Sequence, residues 1–291
     1  MFELRQISQQ TYYIQSPAKI GLVRLNAEEV VLIDSGNDKD AGRKVRQILD
    51  ANRWKLKAIY NTHANADHIG GNRYLQGQTG CRVFAPGIEQ AFTRHPILEP
   101  SFLYGGYPCK DLRHKFLMAQ PSEALPLTED CLPGGVQAVP LPGHSWDMTG
   151  FRTEEGIVFL ADCLSGAETL EKYRISFLTD VGAYIETLEA VKTMEARLFI
   201  PSHAEAAEDI VPLAELNLRA VREIADTITE LCRTPVSFEG LLRQLFSRYG
   251  LAMDFQQHAL VGSTVRSYLS WLKDRGLVRA FFEDNTLLWQ A

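Results

Sequence analysis

Three side chains able to ligate a metal ion, His63, Asp67 and His68, fall within six residues at the end of an apolar run, Leu56 to Tyr60. Neutral imidazole and carboxylate together suit zinc, manganese or iron. A lone histidine at a strand end is ordinarily a cap or turn residue. Two histidines and an aspartate in Thr62-His63-Ala64-Asn65-Ala66-Asp67-His68-Ile69-Gly70-Gly71 exceed what a turn needs. The two glycines after them let the backbone turn tightly. A chain that uses such a segment must bring further donors from elsewhere to the same point.

The same arrangement recurs along the chain. Val30 to Ile33 is an apolar run of buried-strand type and ends in Asp34-Ser35-Gly36. The spacing of Val45, Ile48 and Leu49 predicts a helix over about Asp38 to Asn52. Strands predicted over Val136 to Leu141, Gly156 to Leu160 and Arg197 to Ile200 end in Pro142-Gly143-His144, Ala161-Asp162 and Pro201-Ser202-His203. A helix over Ala183 to Glu195 separates the last two. Alternation of this kind indicates a layered α/β domain, and strand ends are where such scaffolds present chemistry.

With these residues in place, the chain resembles the metallo-β-lactamase superfamily, whose pattern is His-x-His-x-Asp-His followed by a His, an Asp and a final His. The resemblance covers roughly residues 10 to 206. It implies a four-layer αββα sandwich within an α/β class. It also implies a metal site of His63, Asp67, His68, His144, Asp162 and His203, with Asp162 shared by two ions. Positions 63, 65 and 144 would hold the first ion, and 67, 68 and 203 the second. Asp67 is the implied catalytic residue, orienting the attacking water and carrying its proton. Ligating histidines normally hand their second nitrogen to a carboxylate or carbonyl, and Asp34 is a candidate for that role.

One position departs from the pattern: the middle His is Asn65. A neutral amide oxygen is a weaker ligand than imidazole for a borderline metal. The remaining set, His63, His144 and Asp162, suits Fe(II) as readily as Zn2+, and Mn is compatible. Two unequal ions, one ion, and Asn65 binding through oxygen all fit this donor list.

Residues 94 to 126 interrupt the rhythm with prolines, glycines, aromatics and basic residues, and are expected to form an insertion or lid loop. Tyr104, Tyr107 and Lys110 in it, with Trp146 just after a ligand, are the substrate-binding candidates; His95, His114 and His258 are read as non-ligands. Beyond 206 a long helix is expected to connect to a compact unit over 234–291. Three helices and a hairpin are predicted there, the layout of a small winged-helix (α+β) domain. That unit carries six Lys/Arg against five Asp/Glu, fewer cations than a nucleic-acid reader ordinarily has. The chain's formal charge of -6 points the same way. Its five scattered cysteines contain no CxxC pair, which excludes a thiolate zinc site of that type. The N-terminus lacks an apolar leader and no run of about 18 apolar residues occurs, so a cytoplasmic location without membrane contact is expected.

The function expected from residues and resemblance together is a metal-dependent hydrolase of the glyoxalase-II-like branch, acting on a small thioester, ester or related acyl substrate. Two alternatives share the ligands: a single-stranded RNA endonuclease and a mononuclear-iron oxygenase resembling persulfide dioxygenases. Assembly as a homo-oligomer is compatible with the sequence.

Overall fold

The computed structural model describes residues 2–291. A seven-stranded sheet runs in chain order: β1 (Glu3–Gln6), β2 (Thr11–Gln15), β3 (Ile20–Arg24), β4 (Glu29–Ile33), β5 (Lys55–Tyr60), β6 (Arg82–Ala85) and β7 (Ala124–Pro126). Its first half is antiparallel, and β4 to β7 are parallel. The second sheet has four strands: β8 (Val136–Pro140), β9 (Thr149–Thr153), β10 (Ile157–Ser165) and β11 (Leu198–His203), the last pair parallel.

The strand sequences show why the sheets stack. In β4 the period-2 geometry sends Val31 and Ile33 into one cluster and Val30 and Leu32 into another. The first cluster joins Tyr60 and Phe84 to Phe151, Phe159 and Ile200 of the other sheet, so it is the layer between sheets. The second packs under α1 (Lys39–Ala51), through Val45 and Leu49. Asp38 caps α1 by accepting from the amides of Asp40 and Ala41. On the far face of the second sheet lie α7 (Val181–Lys192) and α8 (Val211–Leu231). These are the four layers that the resemblance implied.

Short helices complete the framework: α2 (Ala66–Ile69), α3 (Asn72–Thr79), α4 (Glu89–Arg94), α5 (Leu98–Tyr104) and α6 (Ala167–Tyr173). Three differences from the sequence reading have physical causes. First, the segment 94–126 is not an open loop. It holds α5, a helical turn at Lys110–Leu112 and strand β7, and buries Leu103, Leu112 and Leu117 against Ala259. Second, β10 runs on through Asp162 to Ser165, with shifts of register around Ala161, whose φ is 50°. Asp162 therefore sits in a bulge within the strand, a device that re-aims a side chain. Third, only two helices lie in 237–275: α9 (Phe238–Tyr249) and α10 (Phe255–Asp274), the latter continuous through Gly262 and Ser263. The third helix of the unit is α8, and the sheet beside them pairs β12 (Val236–Ser237) with β14 (Thr286–Gln290) and β14 with β13 (Arg279–Glu283).

One apolar cluster extends without a gap from Leu160 and Leu188 through Leu218 and Ile228 to Leu245, Leu269 and Val278. The helix expected to be a connector is thus a core element. Truncating Ile228, which is fully buried, as Ile228→Ala should cost about 2–5 kcal/mol. Calorimetry should show the whole chain melting in one transition at lower temperature. A C-terminal unit that melts separately would contradict the continuous core.

Candidate metal centre

The centre forms where five chain segments leave their strands. β4 ends at Asp34, whose φ of 65° is a left-handed conformation that Asp tolerates better than most residues. β5 ends at Tyr60, three residues before His63; Asp67 and His68 lie on α2; His144 follows β8; Asp162 is in the β10 bulge; His203 closes β11. Parallel pairing of β4 with β5 and of β10 with β11 brings their carboxyl ends to one edge.

The segment carrying α2 is pressed against residues 35–37. Ser35 donates its amide to the His68 carbonyl at 2.8 Å, and Gly71 its amide to the Gly36 carbonyl at 3.1 Å. A Cβ on Gly70 would meet the Asn37 carbonyl carbon at 2.2 Å, and one on Gly71 the Ser35 oxygen at 2.3 Å. Neither glycine has positive φ, so close approach and not a tight turn is what requires them.

The Asp34 carboxylate, almost wholly buried, accepts from the Thr62 amide and hydroxyl, each at 2.8 Å, and from His68 Nδ1 at 2.7 Å. The Thr62 oxygen in turn accepts from His63 Nδ1 at 2.9 Å. The Pro17 carbonyl accepts from His203 Nδ1 at 3.1 Å. Three histidines therefore spend Nδ1 on an acceptor, which leaves Nε2 with its lone pair facing the centre. Nε2 of His63, Nε2 of His68 and Oδ1 of Asp162 are buried with no well-aligned hydrogen-bond partner, the last two 3.1 Å from each other. Unpaired buried polar atoms are costly, and three of them converging fit a bound cation.

Donor atoms of Asp67, His68, Asp162 and His203 lie within 4.8 Å of one another, and so do those of His63, His144 and Asp162. Asp162 belongs to both groups. His203 Nε2 is 3.2 Å from Oδ2 of Asp67 and 3.2 Å from Oδ2 of Asp162, while His144 Nε2 is 3.7 Å from the latter. The electrostatics divide along the same line. The Asp162 carboxylate raises His203 to about 10. His68, despite burial, is pushed well up by Asp162, Asp67 and Asp34. Burial holds His63 and His144 down instead.

Two buried glutamates in this neighbourhood escaped the sequence reading. Glu89 accepts from the Ala64 amide at 3.0 Å, the Asp147 amide at 3.2 Å and the Ser145 hydroxyl, joining the two loops that carry His63 and His144. Glu99 accepts from Asn65 Nδ2 at 2.7 Å. Burial raises both carboxyls. Nothing in their spacing marks them, since each is a single acid in a segment without periodicity. Lys19 was missed likewise; buried, it donates its amide to the Ser202 carbonyl at 3.2 Å and its ammonium to the carbonyls of Pro201 and Ala204.

Of the substrate candidates, Tyr104 and Trp146 line one cleft of about 970 Å3, together with Phe102, Asp180 and residues of α10. Trp146 packs edge-on against Phe102 at 5.4 Å between centroids. Tyr107 and Lys110 do not line it; Tyr107 is 75% exposed and lies under Arg113. The cleft borders the His144 loop, because the Thr179 amide donates to the carbonyls of Gly143 and His144. Among the described residues no helix is long and apolar enough to cross a membrane.

Comparison with known proteins accords with this geometry. Residues 15–203 match the family model described as the metallo-beta-lactamase superfamily. A beta-lactamase-like protein 2 homolog of Drosophila melanogaster is 26% identical over 66% of this chain and 61% of its own length. A hydroxyacylglutathione hydrolase of Methylococcus capsulatus is 43% identical over 53 residues, 18% of this chain and 19% of that protein. The chain thus spans about three fifths of the first of these curated relatives and a fifth of the second. A crystal structure of a metallo-beta-lactamase family protein from Thermus thermophilus superposes over 100% of this chain and 98% of that one, with a TM-score of 0.74 at 19% identity.

Asp34→Asn keeps a side chain suited to φ 65° but puts an amide where His68 Nδ1 needs an acceptor. Zinc competition against a chromophoric chelator should show binding at the His68 position weakened about 10–100-fold, with circular dichroism unchanged. Unaltered zinc affinity would mean that His68 is aimed by something else.

Proposed function

The chain belongs to the metallo-beta-lactamase superfamily, and on that premise we propose that it is a metal-dependent hydrolase of small acyl substrates, a thioester or ester. The observation that carries this reading is the set of converging, unpartnered donors on His63, His68 and Asp162. In it, His63, His144 and Asp162 hold a first divalent ion, while Asp67, His68, Asp162 and His203 hold a second, zinc being the best fit to these donors. Such ions would lower the pKa of a water towards about 7 and polarise the acyl carbonyl.

The chain's own groups account for the remaining work. Asp67 Oδ2 lies 3.2 Å from His203 Nε2; with that oxygen beside the ion the two would help to hold, the other would orient the attacking water and take up its proton. Its side chain is 41% exposed, open to an incoming substrate. Burial would raise the Asp67 carboxyl, but the His68 and His203 rings outweigh it and hold the group at about 2. Asp34, Glu89 and Thr62 act as positioning residues, fixing the imidazoles before substrate arrives. Trp146, Phe102 and Tyr104 offer an apolar wall next to the His144 loop, and a second cleft of about 630 Å3 is lined by His203 itself with Lys19 and Glu168; these are the two places for the non-reacting part of the substrate.

Local likeness to a hydroxyacylglutathione hydrolase supports an acyl substrate. The complete second donor set supports two ions over a mononuclear iron oxygenase. The C-terminal unit, which we read as a winged helix, turns α10 inward: Val261, Val265, Tyr268, Leu269 and Leu272 are buried. Arg266 is stacked 3.8 Å over Phe238. The exposed face of α10 carries few cations, Arg266, Lys273 and, at its end, Arg275, beside Asp274, which supports a small-molecule substrate over single-stranded RNA.

Protein purified without chelators should carry about two metal equivalents by plasma mass spectrometry and hydrolyse one or more members of a thioester, ester and lactone panel. Asp67→Asn should lower kcat about 10²–10⁴-fold, and chelation should abolish turnover reversibly. A fully loaded protein inert on the whole panel would overturn the assignment.

A further inference from the structure

Two buried carboxyls meet ligand-bearing side chains in the same manner. Asp34 accepts from Nδ1 of His68 at 2.7 Å, and the far nitrogen of that ring faces the centre. Glu99 accepts from Nδ2 of Asn65, also at 2.7 Å. An amide has one other polar atom, so committing Nδ2 to Glu99 turns Oδ1 the opposite way. There it is hydrogen-bonded to Nε2 of His144 at 3.1 Å, which places it beside a donor atom of the first position, where both atoms could face one ion.

We propose that Glu99 is a positioning residue that makes Asn65, through Oδ1, the fourth donor of the first metal position. This rests on the ion assignment made above. Glu99 is 8% exposed, and among the described residues Asn65 is the one hydrogen-bond donor to its side chain. A buried carboxyl with a single partner is costly unless it serves another group. Here it restricts rotation of the Asn65 amide and fixes the direction in which Oδ1 points. The two positions then differ in charge. The second has Asp67 of its own beside the shared Asp162. The first has the shared carboxylate, two imidazoles and a neutral oxygen, and is the weaker of the two.

The test is zinc titration of the metal-free full chain against a chromophoric chelator, with circular dichroism to monitor folding. The parent should take up two equivalents of unequal affinity. Glu99→Ala should weaken the looser one about 10–100-fold and leave the tighter unchanged. Asn65→Ala should weaken the same equivalent, and adding Glu99→Ala to it should cost nothing further, since coupled residues are non-additive. Glu99→Gln, which keeps an acceptor oxygen and least disturbs the packing, should give an intermediate loss.

The proposal is overturned if Glu99→Ala leaves both affinities unchanged or weakens them equally. It is also overturned if Glu99→Ala acts undiminished on Asn65→Ala, or if the parent binds fewer than two equivalents. Zinc uptake needs no turnover. A chain that meets these expectations and hydrolyses nothing would refute the hydrolase reading and leave this one standing.

Discussion

The buried carboxylate of Asp34 is the constraint on which the centre depends. A charge this deep must be matched by donors, and the three nearest come from Thr62 and His68, with Asn61 Nδ2 at 3.5 Å a fourth. Meeting that demand ties the end of β4 to the end of β5 and to α2. It also sets the direction of His68 directly and of His63 through the Thr62 hydroxyl. The left-handed backbone at Asp34 and the bare backbones of Gly70 and Gly71 are conditions for the same closure. Substituting any of them would disturb ligands that lie elsewhere in the sequence.

The centre is electrostatically lopsided, and the imbalance follows from which segment supplies which charge. Asp162 reaches both donor groups from its bulge, whereas Asp67 serves one. Without an ion, the two carboxylates favour the protonated form of His68 and His203, whereas burial disfavours it at His63 and His144. A divalent ion placed among the same atoms would meet the same field, so the Asp67 side of the centre is the stronger cation site. The imidazole absent at Asn65 falls on the side that already has less charge.

Much of this was legible because apolar strands ending in His or Asp are a short-range signal. Runs such as Val30 to Ile33 and Leu56 to Tyr60 announce buried strands, and the polar residue that follows each is placed by the run itself. What lay hidden depended on distant packing. Glu89 and Glu99 have no periodicity to reveal them, and their roles exist only because α4 and α5 fold back over the ligand loops. Of the three helices predicted over 234–291, the last two are one: α10 passes straight through Gly262-Ser263-Thr264, a segment whose composition suits a helix start. The stripe of Val261, Val265, Leu269 and Leu272 is unbroken. Instead of capping a new helix, the Thr264 hydroxyl donates back to the Leu260 carbonyl and accepts from the Leu178 amide. Tertiary burial overrode the local cap signal.

That continuity gives the C-terminal unit a part in shaping the candidate centre without supplying a donor to it. α10 presents Ala259 to Leu103, Leu112 and Leu117, the apolar residues that hold the 94–126 segment down. Leu103 is one helical turn beyond Glu99 on α5, and residues at that spacing share a helix face. Packing energy in α10 is thereby converted into the position of a carboxyl beside Asn65. Helix α8, buried between the second sheet and α9 and α10, keeps that support in register with β10 and β11, the strands that carry Asp162 and His203. The metal centre is therefore braced from both sides: by Asp34 within the sandwich, and by α5 and α10 across the cleft.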